Sequence, residues 1–271
     1  MPREIITIQV GQCGNQIGSK FWDLLLQEHA SKNKKPLFDE AMSSFFRNVD
    51  SYSGTSIPLP SDGGVSPIES LRARAVIVDT EQGVTNQLLK SNIGELFDAK
   101  QFITDVSGAG NNWAHGYSHY GPLYKEEIIE RIRKTAEECS SLQSFFLMHS
   151  LGGGTGSGLG TYILACLQDY FPEVFRFTTS IFPSGDDDVV TSPYNSVLAL
   201  NQLIQHADCV LPVDNEALLR MATKCNESTG KDDPKNPDGA PSKEKKAFDV
   251  MNLLVAHLLS NLTSSMRFHG Q

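Results

Sequence analysis

Short apolar runs at 4–10, 73–79, 144–150, 175–182 and 209–213 alternate with helical patterns along this chain, and this alternation constrains its fold most. The first helical pattern places Ile17, Phe21, Leu24 and Leu25 on one side, with Trp22 beside them. Further helical patterns cover 124–139, 159–170, 194–206 and 248–265. Strands alternating with helices predict an α/β fold: a doubly wound, Rossmann-like, mainly parallel sheet with helices on both faces. Ligands of such sheets sit beyond the carboxyl ends of the strands. Polar or glycine-rich turns fall at 11–18, 79–83, 107–113, 150–158 and 183–188, and their convergence at that end would form a nucleotide site.

Composition excludes several other classes. The 271 residues carry a net charge of −9, which argues against a general nucleic-acid binder because phosphate neutralisation needs a basic face. No apolar run is long enough to span a bilayer, and the amino terminus lacks the pattern of a signal peptide. Five cysteines without CxxC spacing make a disulfide framework or a structural zinc site an unsuitable reading, and a reducing cytoplasm the expected home. Residues 47–70, rich in Ser, Gly, Pro and Asp, read as a surface loop. Residues 226–246 have almost no apolar content and are expected to be a disordered polar insertion.

The turns carry the chemistry. GGGTGSG at 152–158 lies between a strand and a helix, where successive backbone N–H groups and a helix start stabilise an anion. It lacks the GK[ST] ending of a P-loop and so has no phosphate lysine. GQCGNQIG at 11–18 has the same character: either Gln12 reaches phosphate or metal-bound water, or the segment is simply a helix start. Cys13 and Gln16 either line a base or ribose pocket or serve packing. Asp79 and Glu81 either hold magnesium, directly or through water, or form a solvated acidic turn. Asn111 and Asn112 either donate to phosphate or brace their own turn. Asp186, Asp187 and Asp188 are candidates to accept from ribose hydroxyls. Phe248 and Asn252 share a helix face one turn apart, so a ring could stack on a purine while a carboxamide reads its edge. Asn215 could supply a second carboxamide; the competing reading of Phe248 is a core aromatic.

The motifs IQVGQCGNQIG, SGAGNNWAHG, HSLGGGTGSGLG, PSGDDDVVTSPYN, VDNEALL and MRFHG stand in an order and spacing that resembles the tubulin family over essentially the whole chain. That resemblance implies a tubulin/FtsZ-type GTP-binding domain across 1–271, including the start of a central helix, with GTP or GDP and Mg²⁺ as ligands. It implies phosphate contacts from Gly11, Gln12 and Cys13, from Ala109, Gly110 and Asn111, and from Ser150, Gly153, Gly154, Thr155 and Gly156. Asp79 and Glu81 fall near the magnesium, Asn215, Phe248 and Asn252 at the guanine, and Gln16 and Asp188 at the base or ribose. Phe248 stands where the family usually carries tyrosine.

The 183–191 loop is one residue shorter than in alpha- and beta-tubulins, and Ser192 replaces their glutamate. With SSFFRNVD, HADCVLP and LLSNLTSS, these departures resemble a centriolar or basal-body branch of the family more than its gamma or delta types. The expected partners are other tubulin subunits and centriolar proteins, and the expected place is the cytoskeleton. RFHGQ falls before the loop that, in tubulins, presents a hydrolysis-promoting acid to a neighbouring subunit. The stretch given is therefore expected to bind GTP with little or no hydrolysis, or to serve as an assembly module that nucleotide stabilises without turnover.

Overall fold

The computed structural model describes residues 3–60, 64–185, 189–228 and 243–268. The elements in chain order are β1 (Glu4–Val10), α1 (Gly11–Lys32), β2 (Leu37–Phe38), α2 (Glu40–Ser43), β3 (Phe46–Val49), β4 (Ser66–Pro67), β5 (Ser70–Ala73) and β6 (Ala75–Asp79). They continue with α3 (Gly83–Leu89), β7 (Phe102–Thr104), α4 (Gly121–Glu137), β8 (Leu142–Ser150), α5 (Gly160–Tyr170), β9 (Phe175–Phe182), α6 (Ser192–His206), β10 (Cys209–Asp214), α7 (Asn215–Ser228) and α8 (Lys243–Arg267).

Six strands form one sheet in the order β10-β9-β8-β1-β6-β7, and every pairing in it is parallel. The doubly wound reading is therefore correct. Strand periodicity assigns the two faces. Ile5, Ile77, Phe146 and Met148 point to a core closed by Phe21, Trp22 and Leu25 of α1 and by Met251, Val255 and Leu259 of α8. Their neighbours Ile6, Ile8, Val76, Val78, Phe145 and Leu147 point the other way, against Ile128 and Ile132 of α4, Ile163 and Leu167 of α5, and Leu203 of α6. A strand covered on both sides carries apolar residues at successive positions, as Ile5 and Ile6 do in β1.

Two expectations are revised. The strand expected over 73–79 is two, because Ala73 pairs with Phe46 in a separate antiparallel ribbon and only Ala75–Asp79 joins the main sheet. Arg74 sits at the switch: its guanidinium donates to Glu4 at 2.6 Å and to the carbonyls of Ser43 and Glu138 at 3.0 Å each. The 47–70 stretch is only partly a loop, since most of β3, all of β4 and the first residue of β5 lie in it and Arg47 and Asn48 are buried. Arg47 tolerates burial because Glu138 pairs with it at 2.7 Å. Most of 226–246 lies outside the described residues, as does Asp188 with its neighbours 186 and 187.

α8 runs beside α1, held by a Lys20–Asp249 ion pair at 3.3 Å and, farther along, by Arg267–Glu28 at 2.7 Å. That contact brings the helix carrying Phe248 and Asn252 against the helix carrying Gln16.

Candidate functional site

The carboxyl ends of all six parallel strands open on one end of the sheet, so the segments that follow them meet there. After β1 there is no separate turn: Gly11, at φ 73°, reverses the chain and α1 begins at once. A side chain on Gly11 would be strained at that φ and would bring its Cβ to 3.1 Å from the Gly156 nitrogen. Two glycine-bearing segments thus meet backbone to backbone.

Gly154 makes the second such approach. A Cβ there would meet the Asn112 nitrogen at 2.6 Å and the Ala109 carbonyl at 2.9 Å. The 107–113 turn is held open in shape by positive φ at Gly108, Gly110 and Asn111 (62°, 57° and 50°). Asn111 is the one non-glycine in that conformation among the described residues. Alternation of left- and right-handed backbone turns successive N–H groups toward one side, the geometry of an anion nest. Asn111 Oδ1 and Ser150 Oγ both lie 3.8 Å from the space a Cβ on Gly153 would fill. Thr155, at the start of a π-helical turn (Thr155–Leu159) that leads into α5, has its hydroxyl 2.5 Å from that of Thr80.

The structure therefore gathers Gly11, Ala109, Asn111, Ser150, Gly153, Gly154, Thr155 and Gly156 around one concavity, with Asp79, Thr80 and Glu81 at its edge. Gln12 and Gly110 are exposed beside it. Cys13 is half-buried and packs against the core, and burial pushes its thiol up to about 12, both in line with the packing alternative.

Asp79 is 5% exposed, and burial raises its carboxyl to about 6 despite donation from Asn15 Nδ2 at 3.4 Å and from the Glu81 N–H at 3.2 Å. Glu81 is exposed and its carboxylate lies close to Gly108. Among the described residues no three His, Cys, Asp or Glu side chains form a metal cluster. Asp79 and Glu81 do not make an all-protein metal cage, but they fit an ion that keeps most of its waters and leans on phosphate oxygens.

Asn215 begins α7, half-buried, and Asn252 is half-buried on α8. Phe248 is 53% exposed, which overturns the core-aromatic alternative and leaves its ring available for stacking. No hydrogen bond among the described residues joins these three side chains to the phosphate-side loops. Their connection runs through α1, which carries Gln16 and packs on α8.

Two residues that the sequence reading missed hold the site together. His149, wholly buried, bonds the Gly156 carbonyl through Nδ1 at 2.8 Å and Ser180 Oγ through Nε2 at 2.9 Å. A carbonyl only accepts, so the proton resides on Nδ1 and Ser180 donates to Nε2. Asn195 of α6 contacts the 107–113 and 150–154 loops at once. Neither role has a local sequence signal, although PYN directly opens α6.

A separate cavity of about 450 Å³ lies at the opposite end of the sheet, lined in part by Glu4, Arg47, Arg74 and Glu138. Its charges pair with one another, and it lies away from the carboxyl ends of the six-stranded sheet, so no ligand is assigned to it.

Glycine approaches, an anion nest and flanking carboxylates at the carboxyl end of a parallel sheet define a nucleotide-binding α/β protein. Residues 4–223 match the Tubulin/FtsZ family, GTPase domain, and the chain belongs to that family. The chain is 54% identical to a human protein named tubulin epsilon chain and 52% identical to its mouse counterpart, each over 98% of this chain. It is 37% identical to a tubulin beta chain of Pyropia yezoensis over 99% of its length. It spans 58% of the length of the human and mouse relatives and 53% of the red-algal one. No helix among the described residues is long and apolar enough to cross a membrane.

Proposed function

We propose that the concavity binds GTP or GDP with Mg²⁺, and that the protein is an epsilon-type tubulin serving centriolar or basal-body microtubules with other tubulin subunits and centriolar proteins. The observation that supports the nucleotide reading best is the backbone contact of three loops at Gly11–Gly156 and Gly154–Ala109. Glycine at these positions lets the backbones of the loops approach one another closely, and backbone N–H groups supply the donors. Gln12 and Cys13 border the phosphates with Gly110, and Ser150 and Thr155 add hydroxyl donors. Asn215 and Asn252 read guanine, whose O6 acceptor beside N1 and N2 donors suits a carboxamide, while Phe248 stacks. Gln16 and Asp188 are the ribose-side candidates.

The loops at 11–18, 107–113 and 150–158 contain no Lys, Arg, Asp or Glu. Asp79 and Glu81 would hold Mg²⁺ through water, and the ion would supply the positive charge that these loops lack. With both acids committed to the ion, no other acid or base stands in the three loops to orient a water. The domain alone would hold nucleotide with slow turnover, since phosphoryl transfer depends on positioning and electrostatics.

The test is to denature purified protein and identify the released nucleotide by chromatography. Guanine nucleotide is the expected result. Adenine nucleotide, or none even after incubation with GTP and Mg²⁺, would overturn the proposal.

A further inference from the structure

We infer that Asn195, assisted by Thr191, is a positioning residue that sets the shape of the phosphate nest from behind. This rests on the guanine-nucleotide reading above and adds a specificity device to it. Asn195 is 3% exposed, and all of its strong polar contacts go to the two loops that form the nest. Its Nδ2 donates to the Asn111 carbonyl and to the Gly152 carbonyl, each at 2.8 Å, and its Oδ1 accepts from the Trp113 N–H at 2.9 Å. Two donors and one acceptor on a short planar group are what a carboxamide offers and a carboxylate cannot. With both N–H bonds and the oxygen so engaged, Asn195 acts on a ligand only through the loops.

What it holds matters more than that it holds. The Asn111 carbonyl accepts from Asn195 and also from the Thr191 hydroxyl at 2.6 Å, so both of its lone pairs are taken. A carbonyl pinned on two sides fixes the peptide plane that follows Asn111, at the residue with φ 50°. Left-handed backbone at a non-glycine persists only when its surroundings impose it. The same carboxamide bonds Gly152, just before the Gly153–Gly154 approach, and so couples the spacing of the two loops. Trp113, whose N–H it receives, is further fixed by its ring, which stacks on Tyr117 at 4.5 Å and donates from Nε1 to Thr161 at 3.2 Å.

A positioning role predicts loss that grows with phosphate content, and a general strut does not. In the whole domain, Asn195→Asp replaces both donors with acceptors facing two carbonyls at nearly constant volume. Dissociation constants for guanosine, GDP and GTP, with Mg²⁺ present, are measured by titration for wild type, Asn195→Asp and Thr191→Val. For Asn195→Asp, GDP and GTP binding should weaken at least about tenfold while guanosine binding stays within about twofold, tenfold being 1.4 kcal/mol. Thr191→Val removes only one exposed hydroxyl, leaves folding intact, and should weaken GTP binding about threefold with guanosine unchanged. Should Asn195→Asp not fold, the Thr191 variant decides alone. Equal losses for guanosine and GTP, or unchanged GTP binding in a folded variant, would overturn the inference. Failure of wild type to bind any guanine nucleotide would instead indict the site reading.

Discussion

His149 and Gly156 lie seven residues apart and are joined by a 2.8 Å hydrogen bond that closes the glycine-rich segment back onto the strand it leaves. The imidazole spans the gap between β9, through Ser180, and the Gly156 carbonyl, which places the Gly156 N–H beside Gly11. His149→Ala leaves that buried carbonyl without its donor and opens a void. It should cost about 2–4 kcal/mol of stability and weaken nucleotide binding, read by denaturant unfolding and titration. Unchanged stability in that variant would contradict the bracing role.

Burial holds the His149 imidazole down at about 4, and burial with the Arg267 charge does the same to His29. Their folded values lie below the ordinary 6.5, so between about 4 and 6.5 the unfolded chain binds more protons. The stability they contribute is complete above pH 6.5 and is lost as pH falls toward 4, at up to about 1.4 kcal/mol per pH unit per histidine. Unfolding measured from pH 7 to 4.5 should show this slope, and a folded His149→Gln variant should show a shallower one.

Asp79 works in the opposite direction. Its carboxyl is raised to about 6, chiefly by burial, so the folded state keeps a proton that the unfolded chain releases near 3.8. That contribution is present below 3.8 and is lost as pH rises through 6. Asp79→Asn puts an uncharged side chain where the carboxyl is largely ionised at neutral pH, and should raise nucleotide-free stability by roughly 1–2 kcal/mol. The same change should weaken GTP binding in Mg²⁺. A variant that is destabilised without nucleotide would show the carboxylate to be structural.

A phosphate bound as proposed would meet neither Lys nor Arg in the three glycine- and asparagine-bearing loops, and would meet two carboxylates at the fourth. Chelating Mg²⁺ should therefore weaken GTP binding about a hundredfold, or ~2.7 kcal/mol. Guanosine binding should hardly change. Titrations with and without chelator check this, and GTP affinity indifferent to the chelator would place the missing positive charge elsewhere in the protein.

The exposed ring of Phe248 should matter to ligand more than to fold. Phe248→Ala is expected to weaken guanine-nucleotide binding by about 1–2 kcal/mol and to change nucleotide-free stability by less than about 1 kcal/mol. Phe248→Tyr should bind like wild type. Equal affinity in the alanine variant would remove the stacking role.

The elements legible in the sequence were those whose signal is local. β1 carries Ile5, Ile6, Ile8 and Val10 and stops at a glycine, and α5 shows its buried side through Ile163, Leu164 and Leu167. β7 is three residues whose strand character comes from pairing with Ile77–Asp79, and α3 is only seven residues long. β3 hides behind Arg47 and Asn48, polar residues whose burial makes sense only once Glu138 and the Pro67 carbonyl are beside them. The glycine turns of the site were readable because close backbone approach needs glycine. Asn195 and His149 were not, because each acts across tens of residues or through a buried ring whose partner is a carbonyl.

The position of β1 in the sheet also dictates an order of events. Thr7 pairs with Ala75 on one flank and with Phe146 on the other, so this fully buried strand needs both neighbours before both of its edges are satisfied. A chain emerging from the ribosome would carry β1 with one edge unpaired until β8 has been synthesised. Such non-local closure slows folding and leaves a sticky intermediate. Production of this domain should therefore depend on chaperone capacity more than its native stability suggests, and nascent chains ending before β8 should aggregate.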